Sequence, residues 1–379
     1  MKEGWALKSV KDVALVIAGQ SPEGRYYNAD KVGLPFYQGK KEFGEKNIKP
    51  SGVWTSVITK TAIAGDILMS VRAPVGPVNV SVEEICIGRG LAAIRQKDNV
   101  IHDFLYYFFK YYEGNIKGNT GAVFDSINKA QIENIPFLIP PIPEQQRIVS
   151  IIDEAFEAID KAIENTQKNL QNAKELFESY LNSVFENGGE GWAIHKLGEV
   201  ASFSQGIQVG LEHQLTEPQQ GYVRFIRIVD YTQNTDDIRY VPNPGQKYFV
   251  NEDDIVMVRY GTPGLIGRGK AGVIANNLFK ITIQREDLLN DFLSLCLSQK
   301  HIQTFLSTQG SATMPALNFG QLKNVMIIFP SLKDQHNIVQ QLDALQSKIQ
   351  TLEATYQQKF RDLEELKKSV LNKAFAGEL

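Results

Sequence analysis

The side chains of this chain best suited to chemistry sit on polar stretches between short apolar runs, and they are hydrogen-bonding rather than catalytic types. In the first half they are Arg25, Tyr26 and Tyr27, then Gln38, Lys40 and Lys41 just after an apolar run, then Arg72, and Lys117 with Asn119. In the second half they are Arg224, Arg227, Tyr231, Gln233 and Asn234, then Arg259 and Tyr260, then Arg268, Lys270, Asn276 and Asn277. Guanidinium and carboxamide groups offer paired donors and acceptors that match the edges of nucleic-acid bases, and basic or aromatic neighbours suit phosphate. Taken singly, each is more simply a solvated surface or turn residue. Arg72 and Arg259 are favoured slightly, because each follows an apolar run and precedes a Gly/Pro-rich turn, at what reads as matching points of a repeat.

Groups for covalent or metal chemistry are not gathered in this way. The five histidines are scattered without ligand spacing, and no Gly-x-x-x-x-Gly-Lys-Ser/Thr phosphate loop is present. The stretch GTPGLIGRGKAG from Gly261 has the composition of a phosphate cradle without its helix or its Lys-Ser/Thr ending, so tight β-turns are expected. Cys86 and Cys296 each lie in an apolar stretch and read as buried free thiols. The aromatic run from Tyr106 to Tyr112 could stack bases. At helical spacing half of it must face inward, and core packing is the simpler expectation. No metal or cofactor is expected on this chain.

The elements that position the loops are written twice. GWALKSVKDVALVIAGQ from Gly4 returns as GWAIHKLGEVASFSQGI from Gly191, an offset of 187. GDILMSVRAPVG from Gly65 is echoed by DDIVMVRYGTPG from Asp253 at an offset of 188, and the segment from Ser126 by that from Ala316 at 190. Small loop insertions explain the drift. At a fixed offset of 190, residues 140–186 and 330–376 share 13 identities. Each copy divides into a globular part and a long helix, at 1–141 and 142–187, then 188–330 and 331–379. Short β-type runs alternate with Gly, Pro and Asn turns around one amphipathic helix near Ile101–Tyr112, which predicts α+β globular parts. Ser331 and Asp334 form a capping box at one helix start, and Pro143 suits the other.

The two helices run without Gly or Pro from about Glu144 to Asn187 and from about Leu332 to Ala376. An a/d rhythm runs through Ile148, Ile152, Ala155, Ile159, Ala162, Thr166, Ala173, Leu176 and Tyr180. In the second helix it runs through Ile338, Leu342, Leu345, Ile349, Leu352, Tyr356, Leu363, Leu366 and Val370. Asn169 and Lys359 interrupt the two seams at equivalent positions, either to fix register or as a solvated kink or a protein contact. Two stripes of this kind bury each other most simply as an antiparallel coiled coil relating the copies by a pseudo-twofold axis. At ~1.5 Å per residue such a rod is roughly 65 Å long, which at ~3.4 Å per base pair spans up to about 19 base pairs.

Composition is that of a folded protein, with 43% hydrophobic and 22% charged residues. The opening MKEGWALKSV lacks an apolar core and no charge-free run of 18 residues occurs, so a cytoplasmic location without membrane contact is expected. Net charge is −3, yet residues 142–187 alone hold 9 acidic against 4 basic residues, whereas residues 1–141 hold 17 basic against 14 acidic. The acidity sits mainly on one helix. A mildly basic first globular part and a neutral second one, residues 188–330 holding 12 basic against 13 acidic residues, argue against tight phosphate binding by this chain alone and for a partner that supplies the rest.

Over its whole length the chain resembles the specificity subunits of type I restriction-modification systems. The resemblance rests on the openings at Trp5 and Trp192, the Ile-Pro-x-x-x-Pro approach at Ile135–Pro140, and the Pro-Glu-Gln-Gln-Arg-Ile-Val start at Pro143–Val149. The segment LNKAFAGEL at Leu371–Leu379 is the most specific. The second helix start departs, with Lys333, Asp334, His336 and Asn337 where the first has Pro143, Glu144, Gln146 and Arg147. The resemblance implies two target-recognition domains, each reading half of a split double-stranded DNA target. It also implies that the helices hold two adenine methyltransferase subunits, to which restriction and translocase subunits add. S-adenosylmethionine, ATP and Mg would then belong to those partners, and the chain itself would not be an enzyme. Consistent with this, no Asn-Pro-Pro-aromatic or Asp-Pro-Pro-Tyr methylation motif is present. An enzyme with an unrecognised site and a protein-only scaffold are the competing classes.

Overall fold

The computed structural model describes residues 4–113, 126–186, 189, 191–233, 236–308 and 316–379. Its residues form two compact units, Met1–Gln167 with Tyr356–Leu379, and Lys168–Thr355. Each long helix therefore contributes to both.

Both units are α+β and repeat one topology. In the first, Ala6–Ser9 pairs antiparallel with Pro136–Ile139, setting Leu7 opposite Leu138. A four-stranded sheet follows in the order Ala14–Ala18, Leu91–Gln96, Ile67–Ser70, Val78–Val80. A five-stranded sheet is centred on Leu34–Tyr37, which runs parallel to Ile85–Ile87. In the second unit Ala193–Lys196 pairs with Met326–Phe329, and Ala201–Gln205, Leu278–Ile283, Ile255–Val258 and Ile266–Gly267 form the four-stranded sheet. Its other sheet again contains a parallel pair, Tyr222–Ile226 with Gly272–Ile274. One close approach recurs. A Cβ at Gly19 would lie 2.2 Å from the Gly88 carbonyl oxygen, and one at Gly206 would lie 2.1 Å from that of Ile274, so neither position has room for a side chain.

The His102–Tyr112 helix buries Phe104 through Phe109, and Phe104, Phe108 and Tyr111 pack around Phe375. The aromatic run is thus largely core. In the second unit Phe292 packs against Phe185 and Trp192. Cys86 and Cys296 are buried and free. The GTPGLIGRGKAG stretch forms the short Ile266–Gly267 strand between turns, with Gly261, Gly264 and Gly269 at positive φ.

The long helices are Ile142–Glu186 and Leu332–Ala376, 45 residues each. Ser331 Oγ lies 2.8 Å from Asp334 at the second start, and Pro143 falls in the first turn of the other. Each start is pinned by a wholly buried glutamine. Gln145 accepts from Ile101 N (2.8 Å) and donates to the Pro140 carbonyl (2.9 Å), while Gln335 accepts from Leu289 N (2.9 Å) and donates to those of Pro330 (2.9 Å) and Asp287 (2.8 Å).

Pairing of the helices is antiparallel within each unit. In the second, Lys174 meets Glu353 at 2.7 Å and Tyr180 donates to Gln341 at 2.9 Å. In the first, Lys367 pairs with Asp160 and lies over the Phe156 ring. The buried stripe departs from the expected seam. Ile148, Ile152, Ile159 and Leu342 are buried, and Ile338, Leu345, Ile349, Leu352, Leu363 and Val370 are half-buried, but Leu176 is 65% and Leu366 48% exposed. Asn169 and Lys359 are exposed too, and their neighbours Leu170 and Phe360 turn inward instead. The physical reason is helical pitch. A strict heptad drifts about 20° per repeat against a straight helix, so four repeats carry Leu176 and Leu366 about 80° off the stripe. The inward positions Ile148, Ile159, Leu170 and Leu181 instead recur every 11 residues, close to the natural pitch. Neither Asn169 nor Lys359 is a polar residue within the seam.

Candidate nucleic-acid interface

In the first unit the structure gathers Gln38, Lys40 and Lys41 at one loop cluster. Gln38 accepts from Ser21 Oγ at 3.1 Å, and a Cβ at Gly88 or Gly90 would meet Gln38 oxygens at 2.9 and 2.4 Å. That close approach holds Arg89 beside Gln38. Arg89 is exposed and its backbone N–H donates to Ser21 Oγ at 3.1 Å; it is not among the residues that the sequence singles out, and its Gly-Arg-Gly turn is the signal that marks it. Lys40 and Lys41 are exposed on the short Lys40–Glu42 turn.

Arg25 is exposed, 3.1 Å from Glu23 and over the Tyr26 ring at 4.9 Å. Tyr27 faces inward: it stacks on Phe36 at 4.8 Å and donates to the Pro22 carbonyl at 3.1 Å. Arg72 is exposed and bridges Ser126 in extended conformation. The corresponding bridge in the second unit joins Tyr260 to Ala316, so Arg72 matches Tyr260 and Arg259 matches Val71. The apparent match of Arg72 with Arg259 is one residue out of register, because the repeat offset there is 188. Lys117 and Asn119 lie outside the described residues.

In the second unit several candidates are tied together by carboxylates. Arg224 and Arg227 both approach Asp230, at 3.8 and 3.5 Å, and Arg227 reaches Asp237 at 3.2 Å. Arg239, not foreseen from the sequence, pairs with Asp237 at 2.7 Å. The Arg239 and Arg227 hydrogen bonds hold the Asp237 carboxyl below its usual range. Beside this network Tyr231 has a buried hydroxyl without a hydrogen-bond partner, and burial, then Asp230, pushes its pKa up. Lys270 lies over its ring at 5.8 Å. Arg268 is bound to Asp291 and donates to the Asp253 carbonyl at 3.2 Å.

Arg259 donates to the Leu317 carbonyl at 3.2 Å and lies over the Tyr260 ring at 4.5 Å. Asn276 donates to Gln208 at 3.3 Å, and Asn277 is half-buried with an unpartnered Oδ1. Gln233 is exposed, and Asn234 lies outside the described residues. The two units therefore present different surfaces on one topology: open basic and amide side chains in the first, arginines held by aspartates in the second.

Among the described residues no group of His, Cys, Asp or Glu is placed to hold a metal, and no helix is long and apolar enough to cross a membrane.

A duplicated topology carrying divergent polar loops matches a known family. The model of the type I restriction modification DNA specificity domain fits this chain twice, over residues 2–172 and 189–359, and the chain belongs to that family. It is a type I restriction-modification specificity subunit with two target-recognition domains, a non-catalytic part of such a system. A specificity subunit named for the putative MjaX enzyme of Methanocaldococcus jannaschii is 40% identical over 170 residues, 44% of this chain and 39% of that protein. The MjaIX specificity subunit of the same organism is 23% identical over 89% of this chain and 86% of its own length. The EcoBI specificity subunit of Escherichia coli is 20% identical over 100% and 86%. The fold matches the HsdS subunit of Thermoanaerobacter tengcongensis with a TM-score of 0.64 at 19% identity, over 100% of this chain and 98% of that one. A chain from a structure describing assembly and conformational transition of the type I R-M system gives 0.79 at 18% identity, over 100% and 99%.

Proposed function

We propose that each unit reads one half of a bipartite double-stranded DNA target, and that the long helices space the two readings and carry two methyltransferase subunits, through which restriction subunits join. The observation that carries this reading is the contrast between the copies. The same topology presents Gln38, Lys40, Lys41 and Arg89 in one unit and the Arg224–Arg227–Tyr231–Lys270 group in the other. Two different side-chain sets on one scaffold suit two different half-sites. Methyl transfer and cleavage, with S-adenosylmethionine, ATP and Mg, fall to the partners.

In this reading the arginines of the second unit exchange their aspartate partners for phosphate or base edges on docking, so binding by the isolated chain is weak and salt-sensitive. The test is a gel shift on randomised duplex DNA, with the chain alone and with a type I methyltransferase subunit, followed by sequencing of bound DNA. A split motif enriched only with the partner supports the reading. A stable protein complex without enrichment in either sample overturns it in favour of a protein-only scaffold.

A further inference from the structure

Within the first unit a cavity of about 750 Å³ opens between the His102–Tyr112 helix, the Glu45–Lys46 loop and the two long helices. Tyr106, Tyr107, Tyr111 and Phe156 form the aromatic part of its lining, among charged side chains. Tyr106 is only 3% exposed, yet it lines the cavity, and its hydroxyl has no hydrogen-bond partner among the described residues. That hydroxyl opens to the cavity rather than being sealed in the core, so it can give a hydrogen bond to water or to whatever occupies the space.

The charges around it are unevenly matched. Three lining ammonium groups are already committed: Lys46 to Asp103 at 3.1 Å, Lys367 to Asp160, and Lys368 to Glu365 at 2.8 Å. Glu45, Glu113 and Glu364 also line the cavity and have no ion pair among the described residues, against a single uncommitted ammonium, Lys110. The Tyr106 and Tyr107 faces already carry the Lys46 ammonium at 5.4 and 5.8 Å and the Phe156 face carries that of Lys367 at 5.4 Å, so this space accepts cations on its rings, and the carboxylates left without an ion pair among the described residues suit one further guanidinium or ammonium donor.

The second unit lacks these features. Where the first has Tyr106, Tyr107, Tyr111 and Glu113, it has Ser294, Leu295, Gln299 and His301, and Lys174 stands in place of Glu364. The duplicated scaffold therefore carries the site once.

We propose that this cavity binds an organic cation on an apolar stem, an alkylguanidinium or alkylammonium group, once per chain, supplied by an arginine- or lysine-bearing polypeptide segment or by a free polyamine. Isothermal titration of the full chain at low ionic strength, with N-acetylarginine amide and separately with spermidine, tests it. The expected result is saturable binding at one site. It weakens about tenfold or more in the Glu45→Gln/Glu113→Gln double variant and in Glu364→Gln, and is unchanged in Glu83→Gln on the exposed surface elsewhere. Tighter binding of the arginine derivative assigns the cation to a polypeptide, and tighter binding of spermidine assigns it to a free polyamine. Circular dichroism establishes that each variant is folded, and Glu364→Gln, at an exposed helical position, keeps the test open should the double variant misfold. Absence of saturable binding by either cation, two sites per chain, or equal affinity in the charge-removing variants overturns the proposal.

Discussion

A buried carboxamide destabilises a fold unless its donors and acceptor are used, and Gln145 and Gln335 use theirs at the same point of each repeat. Gln145→Ala leaves the Ile101 N–H and the Pro140 carbonyl unanswered, and the expected cost is about 1–3 kcal/mol. Calorimetry should show the melting temperature fall by roughly 2–4 °C per kcal/mol at this domain size. A variant that melts like the parent would show that water replaces the side chain freely. Acid stability is set in part at Asp103, whose hydrogen bond from His102, and then Lys46 at 3.1 Å, hold it down to about 2 against the cost of burial. Because its folded pKa lies below the ordinary value of about 3.9, its contribution is complete above that value and is lost as pH falls toward 2. Urea midpoints measured from pH 5 to 2 should therefore fall less steeply in Asp103→Asn. Neither glutamine stands out in the sequence, because a Gln in a polar helix start looks like solvated surface until the preceding carbonyls fold back over it.

At the scale of elements, the existence, limits and direction of the long helices were legible because absence of Gly and Pro, capping residues and apolar periodicity all agree. The phase of the stripe was not, because two nearly equal periods diverge only after several turns. The structure makes the distinction measurable. Leu176→Lys and Leu366→Lys should leave stability within about 0.5 kcal/mol of the parent, whereas Leu181→Ala, at a buried position, should cost about 2–5 kcal/mol. Comparable losses at Leu176 and Leu181 would restore the heptad seam. The same pitch says how to lengthen the helices: eleven residues inserted beside both Asn169 and Lys359 keep the stripe within about 20° and add ~16 Å, or about five base pairs. With the methyltransferase present, the enriched motif should keep both halves and widen its spacer accordingly, and an unchanged spacer would remove the spacing role.

At the scale of the molecule, the sequence announces two copies through its repeated motifs, and the structure groups them by contact rather than by order along the chain. Leu371, Ala374 and Phe375 complete the core built by residues 5–152, just as Leu181 and Phe185 join the core of the second unit. Truncation at residue 370 should therefore raise amide hydrogen exchange across Phe104–Tyr112 while the Asn290–Leu297 helix keeps its protection. Equal loss of protection in both would mean that the units do not fold independently. The loop surfaces were the least legible part. Composition names arginines and amides, but that Asp237 returns to Arg227 depends on the hairpin of Tyr222–Ile226 with Arg239–Pro242, and that Tyr27 turns inward depends on its strand pairing with Thr55 and its stacking on Phe36, none of which composition fixes.

The shared core of the first unit also fixes an order of events during synthesis. A ribosome delivers residues 4–113 first, yet the aromatic cluster around Phe104 and Phe108 stays open until Phe375 emerges. The second unit, Lys168–Thr355, has everything it needs earlier. The half of the protein that is translated first is thus the half that closes last, and in the interval its exposed rings are the surface on which a chaperone would act.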